Sequence, residues 1–202
     1  MKHGYIVLAA LVALAIGAPA SAQYMWLDVN GDGQCTENDV LGPSTTSVDV
    51  WLDTDSNADG SPATCVTADG AMTLNSYQIV LVAPAGGVTY GAWTDNLGYE
   101  LEGPIGSSGT EAWIGRASAN VSAPGTYKLG SLAISVVGNT ALQFLPLAQA
   151  NPISITGFGS QCSGFEFDNT LKYLSEWNDV CGTTAPTPVS ETTWGKIKAL
   201  YR

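Results

Sequence analysis

The sequence predicts an all-β fold, a two-sheet β-sandwich or jelly roll of about nine strands. Three observations predict it. The 23 Gly and 10 Pro punctuate short runs rich in Val, Ile, Thr and Tyr, the composition of strands separated by turns. Several runs alternate with a period of two. In Ser47–Asp53 the residues Val48, Val50 and Leu52 point one way, and Asp49, Trp51 and Asp53 the other. Helical periodicity is scarce, confined to one turn near Glu37–Leu41 and a short C-terminal helix. With 45% hydrophobic and 12% charged residues, the chain has enough apolar material for a core and too little charge for disorder.

Residues 1–22 read as an export signal: Lys2, then an apolar run from Ile6 to Ile16, then Ala20-Ser21-Ala22 with the small-x-small pattern of a cleavage site. Cleavage there removes His3, the one histidine of the chain. A mature chain without imidazole excludes Ser-His-Asp and Cys-His triads and His-ligated zinc. The formal charge is −11, from 18 acids and 7 basic residues, which repels phosphate backbones and disfavours nucleic acid as a partner. Beyond the signal no apolar run is long enough to span a membrane. Four cysteines in an exported chain imply two disulfides with three possible pairings. Cys35–Cys65 and Cys162–Cys181 are favoured because each pair brackets a separate irregular region.

The acids are unevenly placed. Between Lys2 and Arg116 there are 13 of them and no Lys or Arg, and 8 of the 13 lie between Asp28 and Asp59. Carboxylates this dense repel one another unless a cation joins them. The spacing of Asp28-Val29-Asn30-Gly31-Asp32-Gly33-Gln34-Cys35-Thr36-Glu37-Asn38-Asp39 suits Ca2+. Asp28, Asn30 and Asp32 stand at loop positions 1, 3 and 5, and Gly33 occupies the sharp turn at 6. Gln34 offers a carbonyl at 7, Thr36 a hydroxyl or bridged water at 9, and Asp39 a carboxylate at 12. Calcium takes six to eight such oxygens at ~2.3–2.6 Å. A second string, Asp53, Asp55, Asn57 and Asp59, supplies part of such a set. It lacks a ligand at position 12, so it is either a calcium site completed by Asp69 or Asp49 or a plain acidic turn.

The strands follow in order: Thr46–Thr54, Tyr77–Ala83, Val88–Trp93, Gly98–Leu101, Glu111–Ala117, Tyr127–Val137, Ala141–Leu145, Ile153–Thr156 and Thr170–Leu174. Each is a β-branched or aromatic run between turn residues. The apolar set of Tyr127–Val136 loses its phase near Gly130-Ser131, which predicts a bulge or bend. Residues 183–191 form a Pro-stiffened linker. In the tail, 192–202, Trp194, Ile197, Leu200 and Tyr201 repeat at helical spacing beside Lys196, Lys198 and Arg202. The domain plan is therefore a signal (1–22), a calcium-loop region (23–66), a sandwich (67–182, with a strand borrowed from 46–54), a linker and a tail.

Asp28 to Asp39 resembles the calcium loop of dockerin modules, which share the D-x-N-x-D-G-x5-D form with Asp in the last place. A dockerin follows each loop with a helix, whereas Gly42-Pro43 stops one here. From about Val48 to Gly182 the chain is similar to cohesin-like and carbohydrate-binding β-sandwiches of extracellular bacterial proteins. The likeness rests on Tyr77–Leu81, Gly125–Leu132 and Phe167–Leu171. It implies a role in adhesion, scaffolding or structure at the cell surface. The tail resembles C-terminal signals that sort secreted proteins to the cell surface, so a secretion or anchoring system would read it.

The expected function is a secreted calcium-binding module whose partner is an extracellular protein. The alternative is a carbohydrate-binding module for extracellular polysaccharide, using Tyr90, Trp93, Tyr99 and Trp113 as stacking aromatics. Core packing is the ordinary use of such residues in a sandwich. A glycosidase would need a carboxylate pair, for which Glu100/Glu102 and Glu166/Asp168 are the only candidates outside the loops. Surface acids two apart on a strand are common, and the chain is read as no enzyme.

Overall fold

The computed structural model describes residues 23–57, 62, 72–138, 140–162 and 166–168. Among them lie eleven strands: β1 (Gln23–Asp28), β2 (Ser47–Asn57), β3 (Leu74–Val82), β4 (Val88–Asp95), β5 (Leu101–Glu102), β6 (Gly106–Ser108), β7 (Glu111–Ser122), β8 (Thr126–Val136), β9 (Gln143–Phe144), β10 (Gly157–Cys162) and β11 (Glu166–Asp168). No helix occurs among these residues. The strands form two antiparallel sheets. The smaller has the order β1-β2-β8-β4. The larger has the order β11-β10-β3-β7-β5, with β6 also on β7 and β9 on β3.

The alternation seen in the sequence builds the core between the sheets. Val48, Val50 and Leu52 of β2 are 1%, 0% and 0% exposed. They join Met25 and Leu27 of β1, Tyr77, Ile79 and Leu81 of β3, and Ile114 of β7 in one hydrophobic cluster. Each large apolar side chain so buried is worth about 1.5–3 kcal/mol. Opposite them on β1 and β2, Trp26 pairs with Trp51 and Asp28 with Asp49 on the outer face of the smaller sheet.

The predicted irregularity in β8 is a bulge. Val50 pairs with Gly130 and Trp51 with Lys128, which leaves Leu129 unopposed. Leu129 and Leu132 are both buried although three residues apart, so one extra residue shifts the inward phase. Gly130 is required by contact: a Cβ there would lie 2.4 Å from Thr94 O and 2.4 Å from Trp93 Cζ2.

Several strands differ from expectation. β1 precedes the acidic loop, and its short mixed run carries no clear period in the sequence. Gly98–Leu101 contributes only Leu101–Glu102, because the Tyr99 N–H donates to the Asp95 carboxylate at 2.9 Å instead of joining a ladder. Glu111–Ala117 extends to Ser122, and Ala141–Leu145 shrinks to Gln143–Phe144. Ile153–Thr156 is a turn with one bridge, Leu147 to Ile155. The strand starts later, at Gly157-Phe158-Gly159, where two glycines hide the β signal. Near Glu37–Leu41 there is a turn closed by Asp39 N–H on Thr36 O at 3.2 Å, with no helix. Thr170–Leu174, the signal, the linker and the helical tail lie outside the described residues.

Gly130→Ala places a methyl against the Thr94 carbonyl and the Trp93 ring. Urea unfolding should show a loss of about 1–3 kcal/mol, the usual cost of overpacking.

Candidate metal centre

β1 delivers Asp28 to the outer face of the smaller sheet at 1% exposure, and the loop 29–39 turns back over that face to end on Asp39 at 0% exposure. Both carboxylates are held by backbone amides. Asp28 Oδ1 accepts the Gly31 N–H at 2.6 Å, and its Oδ2 accepts the Gly33 N–H at 2.8 Å. Asp39 Oδ1 accepts Val29 N–H at 2.8 Å, and its Oδ2 accepts Thr36 N–H at 3.0 Å. Each acid therefore clasps the loop across several residues by charge-assisted hydrogen bonds.

Between them the D-x-N-x-D alternation makes consecutive Asx turns. Asp32 N–H donates to Asn30 Oδ1 at 2.9 Å and Gln34 N–H to Asp32 Oδ1 at 2.8 Å. Asn30 Nδ2 donates to Asp32 Oδ2 at 3.0 Å. Gly33, at loop position 6, has φ +74°, a conformation L side chains avoid, and a Cβ there would lie 3.2 Å from Trp51 Cζ2.

Trp51 fastens the loop to the sheet. Its indole N–H donates to Asp28 Oδ2 at 3.2 Å. Its ring stacks on Trp26 with centroids 5.8 Å apart and planes 9° from parallel. Trp51 thus lies beneath the loop on the acidic face. Cys35, inside the loop, is disulfide-bonded; its expected partner Cys65 lies outside the described residues, as does Cys181, while Cys162 ends β10.

The two basic residues among those described are both engaged elsewhere. Lys128 Nζ is 2.5 Å from Asp49 Oδ2, and Arg116 is 2.6 Å from Glu102 Oε1. Ser131 also donates to Asp49, at 2.6 Å. Among the described residues, therefore, no Lys or Arg bonds Asp28 or Asp39. Among the described residues, no three His, Cys, Asp or Glu side chains converge as a metal-holding group. At the expected ligand positions the loop carries the carboxylates of Asp28, Asp32 and Asp39 and the oxygens of Asn30, Gln34 and Thr36.

The second acidic string has a different form. Asp53, Asp55 and Asn57 lie on β2, not in a loop. Asn57 pairs with Gln23 and Asp53 with Tyr24, so Thr54–Ser56 bulge out between them. The bulge wraps the buried Asp53 carboxylate, whose Oδ1 accepts Asp55 N–H at 2.8 Å and Ser56 N–H at 2.9 Å. The Thr126 hydroxyl donates to its Oδ2 at 3.2 Å. Asp49 is bound to Lys128, while Asp59 and Asp69 fall outside the described residues.

The aromatic candidates divide. Tyr90, Trp93 and Trp113 line one cleft of about 80 Å³ at the flank between β4 and β6. Tyr99 belongs to the core, 7% exposed, with its hydroxyl donating to Leu74 O at 3.0 Å. A buried network that sequence reasoning missed sits nearby: the Tyr77 hydroxyl donates to Asp95, whose other oxygen takes the Tyr99 N–H. No pattern in the sequence marks Asp95 for this task. Of the carboxylate pairs, Glu102 is bound to Arg116, and Glu100 accepts the Ser118 hydroxyl at 3.1 Å. A hydrogen bond from its own backbone, with that from Ser118, holds Glu100 below the usual carboxylate range. The side chains of Glu166 and Asp168 lie outside the described set.

Comparison with known proteins finds no matching family model, no matching curated protein and no matching solved structure. Among the described residues no helix is long and apolar enough to cross a membrane.

The tyrosines give the fold an alkaline limit. Burial pushes Tyr90 up to about 12. Burial also raises Tyr77, which the Asp95 hydrogen bond and charge raise further, and it raises Tyr99. An unfolded tyrosine ionises near ~10. The folded values are the higher ones, so this stabilisation is complete below pH ~10 and is lost as pH climbs towards 12. Urea midpoints measured from pH 8 to 11.5 should stay level and then fall, and the 295 nm phenolate titration should lag that of the denatured chain.

Proposed function

We propose that this chain is an exported, calcium-stabilised β-sandwich module with an adhesion, scaffolding or structural role at the cell surface. One observation carries the calcium reading: Asp28 and Asp39 are buried at the two ends of an oxygen-rich loop, with amide donors and, among the described residues, no basic side chain. A buried carboxylate is costly to hold unless it is paired or ligates a metal. Of their four carboxylate oxygens Asp28 Oδ1 accepts a single hydrogen bond and keeps an open acceptor site, while the other three accept two each. Gly33 fits the sharp turn that position 6 of such a loop demands. The donor set of Asp28, Asn30, Asp32, Gln34, Thr36 and Asp39 is oxygen only, which suits a hard cation such as Ca2+ and not a soft metal.

Export is supported by residues 1–22 and by the disulfide at Cys35, a bond that persists in oxidising compartments. The surface role rests on the cohesin-like pattern and on the sorting-type tail. The partner in this reading is an extracellular protein.

Polysaccharide binding comes second. Its supporting observation is that Tyr90, Trp93 and Trp113 share one cleft. Against it, about 80 Å³ is small beside the ~300 Å³ and more of typical small-molecule sites. Catalysis draws least support, since Glu102 and Glu100 are both tied to neighbours.

Thermal unfolding in millimolar calcium and in chelator tests the main reading. A ligand bound only to the folded state, present at a hundred times its Kd, contributes about 2.7 kcal/mol. For a chain of this size that is about 5–10 °C in Tm. Asp28→Asn should abolish most of the calcium-dependent shift. Identical melting curves for the native chain in both buffers would sink the calcium proposal.

A further inference from the structure

β4 closes one end of its sheet: β8 pairs one side of it, and no strand pairs the other among the described residues. An edge strand turns alternate N–H and C=O groups outward, and proteins usually protect such an edge. The protection here is slight. The facing edge of the larger sheet ends in β5 and β6, of only 2 and 3 residues, whereas β4 has 8. Its sequence, Val88-Thr89-Tyr90-Gly91-Ala92-Trp93-Thr94-Asp95, holds no Lys and no Pro. One irregularity, opposite Ala133, separates the pairs at Tyr90 and Trp93.

The aromatic cleft opens beside this edge. Tyr90, Trp93 and Leu132 form its wall on the smaller sheet, and Ile105, Gly106 and Ile114 its wall on the larger. Ile105 is 44% exposed, and Leu101, on the same side, is 55% exposed. A strand added to β4 would continue the smaller sheet and face alternate side chains inward, over the cleft. About 80 Å³ suits one aliphatic side chain better than a whole small ligand. Backbone pairing combined with a pocket for an alternate side chain is how strand addition gains both affinity and selectivity.

We infer that the edge of β4, which no described strand pairs, is a strand-addition site for an extended peptide of another protein, apolar at every second residue and neutral or basic between, which seats one apolar side chain in the cleft against Ile105. Charge selects this occupant. The chain carries a formal −11, so a second copy pairing through β4 would bring two strongly acidic molecules together. The inference goes beyond the calcium reading and stands without it, since β4 is at the opposite edge of the sheet from β1 and its loop.

The test is selection of random peptides of about seven residues, the length of an ordinary strand, on the immobilised full chain in calcium and again in chelator. The enriched pool should alternate apolar residues with Lys, Arg or neutral polar ones. Calorimetry on a peptide from that pool should show about tenfold weaker binding after N-methylation of its alternate amides, which removes the ladder bonds and spares the side chains. Ile105→Asp should cause a similar loss, and circular dichroism shows whether that variant keeps its fold. If it does not, the N-methylated peptide and Ala92→Lys on the exposed edge carry the test. A pool without alternation, or binding indifferent to both N-methylation and the edge substitution, overturns the inference. So does a dimer in sedimentation that Ile105→Asp or Ala92→Lys dissolves, or an oligosaccharide that displaces the peptide. A missing calcium shift in Tm with peptide binding intact would sink the calcium proposal alone.

Discussion

A carboxylate taken out of water needs a cation or several hydrogen-bond donors, and this chain is short of cations throughout its first half. It answers that shortage with backbone amides. Asp28, Asp39, Asp53 and Glu111 are all buried, and each accepts N–H groups from a nearby or returning segment. Each such acid also fixes a piece of irregular chain: the loop 29–39, the bulge 54–56, and, through Glu111 on Gln149 and Ala150, the approach to β10. Asp95 does the same for Tyr99 and adds the Tyr77 hydroxyl. The connections of the sandwich are thus pinned by acids, while its strands are held by apolar burial. Calcium at the first loop would extend this logic by supplying the positive charge that the side chains lack.

The smaller sheet joins the two systems because its faces differ. Inward it carries Met25, Leu27, Val50 and Leu52 into the core. Outward it carries Trp26, Trp51, Asp28 and Asp49, and the loop folds over Trp51. The Trp51 indole serves both systems at once, stacked on Trp26 and bonded to Asp28. A change in the loop is therefore transmitted to β1 and β2 by contact. This gives a physical basis for a cation at the loop to act on the stability of the whole domain.

Much of this was legible in the residues. The alternation of Ser47–Asp53 predicts which side of β2 is buried, because side-chain direction in a strand repeats every two residues. The lost phase at Gly130 announces the extra residue at Leu129 for the same reason. The oxygen-bearing residues of Asp28–Asp39 describe a turning, donor-rich loop, and the Asx turns that form it are local bonds between near neighbours. Trp51, alternating with Asp49 and Asp53, is placed on the acidic face before any coordinates are known.

Local pattern alone determined the all-β class, the phase of β2, the break of phase in β8 and the turn chemistry of the acidic loop, since these depend on residues a few positions apart. The tertiary structure decided what depends on distant partners. It placed Asp53 at the foot of a bulge of β2, because Gln23 and Tyr24 pair there out of step. It sent Tyr99 into the core, with its hydroxyl on Leu74, while Tyr90, Trp93 and Trp113 gathered at one flank. It gave Lys128 to Asp49 and Arg116 to Glu102 across neighbouring strands, and so left Asp28 and Asp39 without a basic partner among the described residues. Which strand ends a sheet is likewise a property of the assembled fold, and among the described residues it is β4 that ends the smaller one.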